Sequence, residues 1–281
     1  MPISHRRGEC RMAGTPAGRG TICVLGDAHL DVIVCPSAPL AEETDTPART
    51  SAGAGGQAAN VAAWVVALGG SARLVAARGT DPASRLVADE LATRGVDLVG
   101  PVVDGRTGVV VSLADGGSRS MLTDRGVGPL LAASHLRSEW FGECEWLHLP
   151  AYSLVTMPIG GAALAAAGRV RHVSVDLSST AALRAYGIRA FRELLARLRP
   201  EIVFGNEAEA ELVGDLPDTQ VVVKLGARGA RLGDTVHAAP PARAVDSTGA
   251  GDAFAAGYLL GGVSLGLRAA ARAVAKMGAM P

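Results

Sequence analysis

From Trp146 to Val223 the chain alternates short apolar runs with helical patterns, and this alternation limits its fold more than any other feature. Trp146–Leu149, Val173–Val175, Ile202–Phe204 and Val221–Val223 read as strands, too short to be helices of their own. Between them, Met157–Ala167, Ile188–Leu198 and Glu207–Val213 carry helical patterns, the first built of small residues. Strand–helix–strand succession closes as parallel neighbours with crossover helices, so an α/β fold is expected, with a mostly parallel sheet and helices on both faces. Upstream, Ile22–Leu25, Leu30–Val34 and Ala72–Ala77 read as strands, and Gly56–Leu68 as a helix with Val61, Trp64, Val65 and Leu68 on one face. Asp81-Pro82 opens a helix with proline at its first position. Two β-rich stretches, about 30–50 and 105–124, break the alternation; in the second, Val109–Leu113 and Arg119–Leu122 flank Asp115-Gly116-Gly117, a hairpin signal.

With 281 residues the chain accommodates one large α/β domain or two small ones. Lys+Arg and Asp+Glu both total 27, so the chain lacks the net field that draws nucleic acid or an anionic membrane, and neither is expected as a partner. Cys10, Cys23, Cys35 and Cys144 show neither paired short spacing nor a nearby histidine, which predicts free thiols and a cytoplasmic protein. Residues 1–20 contain four arginines without an apolar core and are expected to be a disordered leader, with the folded domain over 21–281. No run of about 18 strongly apolar residues is present, so a membrane span is not expected.

The chemistry concentrates in Ala244–Phe254, where Asp246-Ser247-Thr248-Gly249-Ala250-Gly251-Asp252 precedes an apolar helical pattern containing Phe254, Tyr258 and Leu259. Gly249, Ala250 and Gly251 leave their backbone N–H groups bare at the positive end of that helix, a ready anion site. Asp252 in the first turn is an acceptor-only carboxylate beside it. The pairing suits phosphoryl transfer to an alcohol, with bare N–H groups holding the transferred charge and the carboxylate taking the hydroxyl proton. Ordinary helix capping explains the same residues on spacing alone.

This run resembles the second signature of the PfkB carbohydrate kinase family, Asp-Thr-x-Gly-Ala-Gly-Asp, with the hydroxyl residue shifted by one. Gly55-Gly56-Gln57-Ala58-Ala59-Asn60-Val61-Ala62, followed by Leu68-Gly69-Gly70, is similar to the first signature. Gly79-Thr80-Asp81 and Asn206-Glu207-Ala208-Glu209 match further landmarks in order. The resemblance implies a ribokinase-like fold whose β-rich stretches form a small lid sheet over a sugar. It implies Asp252 as catalytic base, with Gly249, Ala250 and Gly251 as the anion hole. Asp31 would bond sugar hydroxyls together with His29, which stands where ribokinase has asparagine. Gly55 and Gly56 would let backbone approach the sugar, beside Asn60 and Gln57, the latter where ribokinase carries lysine. Asp27 either joins this cluster or caps a turn.

Nucleotide binding without a Walker A motif is implied along Val223–Gly229, at Lys224, Gly226 and Gly229, and around Asp246, Thr248 and Asn206. Asn206 and Glu209, one helical turn apart, would organise Mg²⁺ and its waters, although an N-cap with acidic residues in its first turn reads the same way. The family's monovalent-cation loop, formed by chain beyond the equivalent of Pro281, makes K⁺ a further cofactor to test. Gly53-x-Gly55-x-x-Ala58 matches a dinucleotide fingerprint, but Thr46–Ser51 does not read as a strand core and arginines occupy the later acidic position, so NAD is rejected. His148 and Tyr152 lie at a strand end where either pocket or core is open to them. Asp176 ends another strand, and Arg119 and Arg125, near the hairpin, either reach an acidic substituent on the substrate or, the reading preferred, are solvated lid charges.

The expected activity is ATP-dependent phosphorylation of a primary hydroxyl of a small sugar. The alternatives are a nucleoside kinase of adenosine or pseudouridine type, ranked lower because no aromatic residue adjoins the sugar motifs, and a sugar-binding regulator without catalysis. The lid closes either alone or as the clasp of a homodimer, since lid strands with exposed apolar edges often pair across a two-fold axis.

Overall fold

The computed structural model describes residues 20–115 and 118–281. The expected leader, apart from Gly20, lies outside the described residues, as do Gly116 and Gly117 of the hairpin turn and the side chain of Arg119.

The chain begins with β1 (Thr21–Leu25), β2 (His29–Pro36) and β3 (Ala48–Gly55), followed by α1 (Gln57–Ala67), β4 (Ala72–Val75), α2 (Pro82–Thr93) and β5 (Asp97–Val99). The hairpin of β6 (Thr107–Asp115) and β7 (Ser118–Gly126) leads through short 3₁₀ turns to β8 (Cys144–Pro150). Then come α3 (Ile159–Ala167), β9 (His172–Asp176), α4 (Thr180–Tyr186), α5 (Ile188–Leu198), β10 (Ile202–Asn206), α6 (Glu207–Val213) and β11 (Gln220–Lys224). The edge pair β12 (Ala230–Leu232) and β13 (Thr235–His237) precedes α7 (Ala250–Val274).

Nine strands form one sheet in the order β13-β12-β11-β10-β9-β8-β1-β4-β5, parallel from β11 to β5 and antiparallel through β12 and β13. Its strands are short because both faces are covered, and alternate residues enter two separate cores. Ile22 and Val24 of β1 face α1, α2 and α7, whereas Cys23 and Leu25 face α3 to α6. Phe204 of β10 anchors the first core, edge-on to Phe254 at 6.2 Å and Tyr258 at 5.3 Å between ring centroids. Each such fully buried ring contributes about 1.5–3 kcal/mol over its exposed state. A second sheet, β3-β2-β6-β7, pairs β2 parallel with β6 and antiparallel with β3.

Three expectations are corrected. The segment before Gly55 is a strand after all: β3 pairs with β2 in antiparallel register, Asp31 opposite Gly53. Its first five residues are exposed on both faces, which is why it lacks the apolar signature of a core strand. Being a lid strand outside the parallel sheet, it does not form the strand–turn–helix unit that a dinucleotide needs. Cys23 and Cys144 are joined as a disulfide, not free. They lie on the neighbouring parallel strands β1 and β8, 121 positions apart in sequence, so spacing hides the pairing. Helix α7 is long and apolar enough to cross a membrane by length and composition, although Asp252, Arg268 and Arg272 keep it from being a continuous apolar run. However, its apolar residues fill the first core, and Gly261 and Gly262 leave helical geometry midway. Finally, α4 was not foreseen; its seven residues are capped by Ser179, whose Oγ accepts from the Ala182 N–H at 3.4 Å.

Candidate active site

The parallel strands deliver their C-terminal ends to one cleft, of about 1020 Å³, roofed by the second sheet. Asp27 follows β1, Asp176 ends β9, Asn206 ends β10 and Lys224 ends β11, the edge at which open α/β sheets hold ligands.

Helix α7 opens onto this cleft. Gly249 is its N-cap at φ 74°, ψ 0°, with no side-chain cap. The left-handed conformation favours glycine, and any Cβ there would stand 2.6 Å from Ala279. The first turn has no side-chain cap and lines the cleft, as an anion site requires, although the Ala250 N–H also donates to the Ser247 carbonyl at 3.3 Å. Asp252, in that turn, is buried and accepts a hydrogen bond from Asn60 Nδ2 at 2.9 Å. Burial pushes its carboxyl up to about 7; Asn60 and Lys224 pull it down, Asp176 and Asp31 push it further up. A carboxylate titrating near neutrality is matched to removing a proton from an alcohol.

Lys224 Nζ donates to Asp176 Oδ2 at 2.6 Å and lies 3.1 Å from where a Cβ on Gly251 would be. Burial opposes the lysine charge, but Asp176, Glu209 and Asp252 outweigh it and raise its pKa. A cation is thus held beside the anion turn, where a side chain at Gly251 would crowd it.

Asn206 and Glu209 form a reciprocal capping box at the start of α6: Asn206 Oδ1 accepts from the Glu209 N–H and Glu209 Oε2 from the Asn206 N–H, both at 2.9 Å. Both residues also line the cleft. Burial raises the pKa of Glu209. Among the described residues no group of three or more His, Cys, Asp or Glu could cage a metal.

At the opposite end, Asp31 faces Gly55 so closely that a Cβ on Gly55 would fall 1.9 Å from the Asp31 carboxyl carbon. Gly56, at φ 95°, turns the chain from β3 into α1, its would-be Cβ 2.7 Å from the Asp27 carbonyl oxygen. Burial, reinforced by Glu90 and opposed by His29, raises Asp31 to about 6. Arg125, at the end of β7, donates from Nε to Asp27 Oδ2 at 2.6 Å and from Nη1 to Thr156 Oγ1 at 2.8 Å. His29 Nε2 stands 3.5 Å from the same Asp27 oxygen. Burial favours protonation of Asp27, but His29 and Arg125 outweigh it and hold its pKa low. Arg125 is therefore a partner of Asp27 and not a solvated lid charge.

The cleft brings together Asp27, His29, Asp31, Gly56, Gln57, Asn60, Asn206, Glu209, Lys224, Gly226, Thr248 and the run Gly249, Ala250, Gly251 and Asp252. Gly55, Gly229 and Asp246 stand behind its surface. Gly229, at φ 107°, leaves no room for a Cβ, which would lie 1.9 Å from the His237 carbonyl oxygen. Asp246 accepts from the N–H of Thr248 at 2.9 Å and of Gly278 at 2.8 Å, tying the loop before α7 to the segment after it. His148 is a core residue, bonded to Ser174 Oγ at 2.9 Å and pushed down to about 4 by burial. Tyr152, by contrast, lines the cleft, so an aromatic ring is among its walls. The sequence reading gave no role to Asp176 and did not pair Asp27, a candidate sugar ligand, with Arg125; charged residues at strand and hairpin ends were the available signal.

The family model described as pfkB family carbohydrate kinase matches residues 19–280. An ATP-dependent ribose-1-phosphate kinase from Halopiger xanaduensis is 34% identical over 221 residues, covering 73% of this chain and 72% of its own. The crystal structure of adenosine kinase from Sinorhizobium meliloti superposes with a TM-score of 0.81 at 23% identity, over 94% of this chain and 96% of that one. A putative ribokinase II from E. coli, in complex with ATP and Mg²⁺, superposes with a TM-score of 0.79 at 21% identity, over 93% and 94%.

Proposed function

This chain belongs to the pfkB family of carbohydrate kinases, phosphotransferases that act on hydroxyl groups, and we propose that it phosphorylates a primary hydroxyl of a small sugar from ATP. The observation that carries the reading is Asp252: a buried carboxylate with its pKa near 7, held by Asn60 in the first turn of a helix whose cap is bare.

In this mechanism Asp252 accepts the hydroxyl proton as the acceptor oxygen bonds to the γ-phosphorus and the bond from phosphorus to the bridging oxygen breaks, releasing ADP. The N–H groups of Gly249, Ala250 and Gly251 hold the charge on the transferring phosphoryl group. Lys224 stands beside that turn, and Gly226 lines the nucleotide half of the cleft. Asp31, Gly56, Gln57 and Asn60 position the sugar, with Gly55 making room for Asp31. Gly229, Asp246 and Thr248 shape the nucleotide side through the backbone. Asn206 and Glu209, which both line the cleft, would hold Mg²⁺ through its waters, and the ion would supply neutralising charge to the phosphates. The absence of a caging cluster among the described residues and the position of Asn206 and Glu209 at the cleft suit an ion held mainly by phosphates and water.

Tyr152 favours one second reading, a nucleoside acceptor whose base packs on its ring. We further take residues 21–281 as a single kinase domain acting in the cytoplasm. Exposed Met121 and Leu122 on β7 support the lid as the contact of a homodimer. K⁺ dependence remains part of the proposal, to be read in the same assay.

ADP release with Mg-ATP is measured over ribose, fructose, 2-keto-3-deoxygluconate, adenosine and pseudouridine, with and without K⁺. Turnover with one of the sugars is expected. Turnover with adenosine or pseudouridine alone selects the nucleoside reading, and silence with a folded, sugar-binding protein overturns the kinase reading.

A further inference from the structure

The acceptor end of the cleft carries more buried hydrogen-bond acceptors than donors. Asp27 Oδ1, Asp31 Oδ1, Gln57 Oε1 and Asn60 Oδ1 are all buried without a hydrogen-bond partner in the protein, against Arg125 Nη2, a cationic donor, and His29 Nε2 and Ser153 Oγ, which can donate or accept. A buried polar group without a partner is costly, so the natural occupant supplies what these atoms lack. They lack protons to accept. Free hydroxyls supply them; a phosphate ester dianion, which has only acceptor oxygens, does not.

The charges point the same way. Asp27, Asp31 and Asp252 line this end, and the cation among them, Arg125, already donates to Asp27 from Nε and to Thr156 from Nη1. His29 approaches the same Asp27 oxygen, so its ring also faces a carboxylate. Lys224 is occupied by Asp176 beside the anion turn. An anionic substituent would therefore meet carboxylates, with two of the three guanidinium nitrogens already paired and only Nη2 open. Like-charge juxtaposition in a desolvated site is a strong means of rejecting a wrong ligand.

We infer that the acceptor is an uncharged polyhydroxy compound, a free sugar or nucleoside, and that the Asp27–Arg125 pair excludes sugar phosphates by holding the guanidinium away from them. This rests on the reading of the acceptor end given above, and it separates two relatives: a ribose-1-phosphate kinase acts on a charged acceptor, an adenosine kinase on a neutral one. Asp27 thereby becomes a specificity residue, although it touches no reacting atom.

The test is calorimetric binding, alongside ADP release, with D-ribose, D-fructose and adenosine against ribose 1-phosphate and fructose 6-phosphate. The wild-type protein is expected to bind at least one neutral compound about 100-fold more tightly than either phosphate, the scale of a like-charge penalty in a partly desolvated site. Asp27→Asn, which keeps an oxygen acceptor for Arg125 but removes the charge, is expected to narrow that gap about tenfold by releasing the guanidinium to an anion. Arg125→Gln weakens neutral binding without narrowing it. Thermal melts of both variants verify folding, and the wild-type comparison decides the matter if either variant fails to fold. Equal or tighter binding of a sugar phosphate by the wild-type protein overturns the inference, as does selective loss of phosphate binding in Arg125→Gln or no binding of any compound. Tight neutral binding without ADP release supports this inference while overturning the kinase reading.

Discussion

Asn60 and Asp252, 192 positions apart, meet through a single 2.9 Å hydrogen bond that joins the first turns of α1 and α7. Asn60 donates, so the bond favours the ionised form of the carboxylate that burial opposes. The two helices thus present acceptor side and phosphoryl side to each other in one fixed geometry.

Replacing Asp252 by Asn keeps size and shape while removing the base. Turnover in an ADP-release assay is expected to fall by about two to four orders of magnitude, the usual worth of general-base catalysis, with ATP binding little changed. A variant retaining near-wild-type rate sinks the proposed mechanism.

The same residue sets a pH dependence. Asp252 must be ionised to accept a proton and titrates at about 7, so kcat/KM is expected to climb as pH rises through about 7. Asn60→Ala removes the bond that favours ionisation, leaving Lys224 alone against burial, Asp176 and Asp31. Its acidic limb should move to higher pH; a limb that stays in place would show that another group governs the profile.

Stability should move oppositely to activity. The folded-state pKa of Asp252 lies above its unfolded value of 3.8, so folding takes up protons between the two and the contribution of this group is lost as pH rises through about 7. Asp252→Asn never carries the buried charge. Its melting temperature is therefore expected to exceed wild type at pH 8, with the difference shrinking towards pH 5; equal differences at both pH values refute the account.

Gly55→Ala places a methyl group 1.9 Å from the Asp31 carboxyl carbon, against a rigid β2–β3 register that pairs His29 with Gly55. Asp31 must move, and displacing a positioning group by about 1 Å is expected to lower kcat/KM for the acceptor about 100-fold. KM for ATP should hold, because Gly55 lies at the opposite end from the anion turn. An unchanged acceptor kcat/KM rules out Asp31 as a sugar ligand.

Much of this protein is legible locally. The core strands around Cys23, Val175 and Phe204 are short apolar runs because both sheet faces are covered, and the Pro82 and Glu207 helix starts carry their own caps, Asp81 and Asn206. Strand β3 escaped notice because a lid strand exposed on both faces has no apolar period to read. Arg125 was misjudged for a related reason: it looks solvent-bound on its hairpin and becomes an ion-pair partner only when the lid lies over Asp27.

The amino-acid order by itself determined the core strands and helices of the alternating part and the helix start without a side-chain cap at Gly249 to Asp252, since these depend on periodicity, backbone freedom and residues a few positions apart. Which charge meets which was decided by the tertiary structure alone. Asn60 with Asp252, Asp27 with Arg125 and Asp176 with Lys224 are separated by 192, 98 and 48 positions. No local propensity connects such residues; they meet because parallel strands deliver their ends to one edge and a second sheet closes over it.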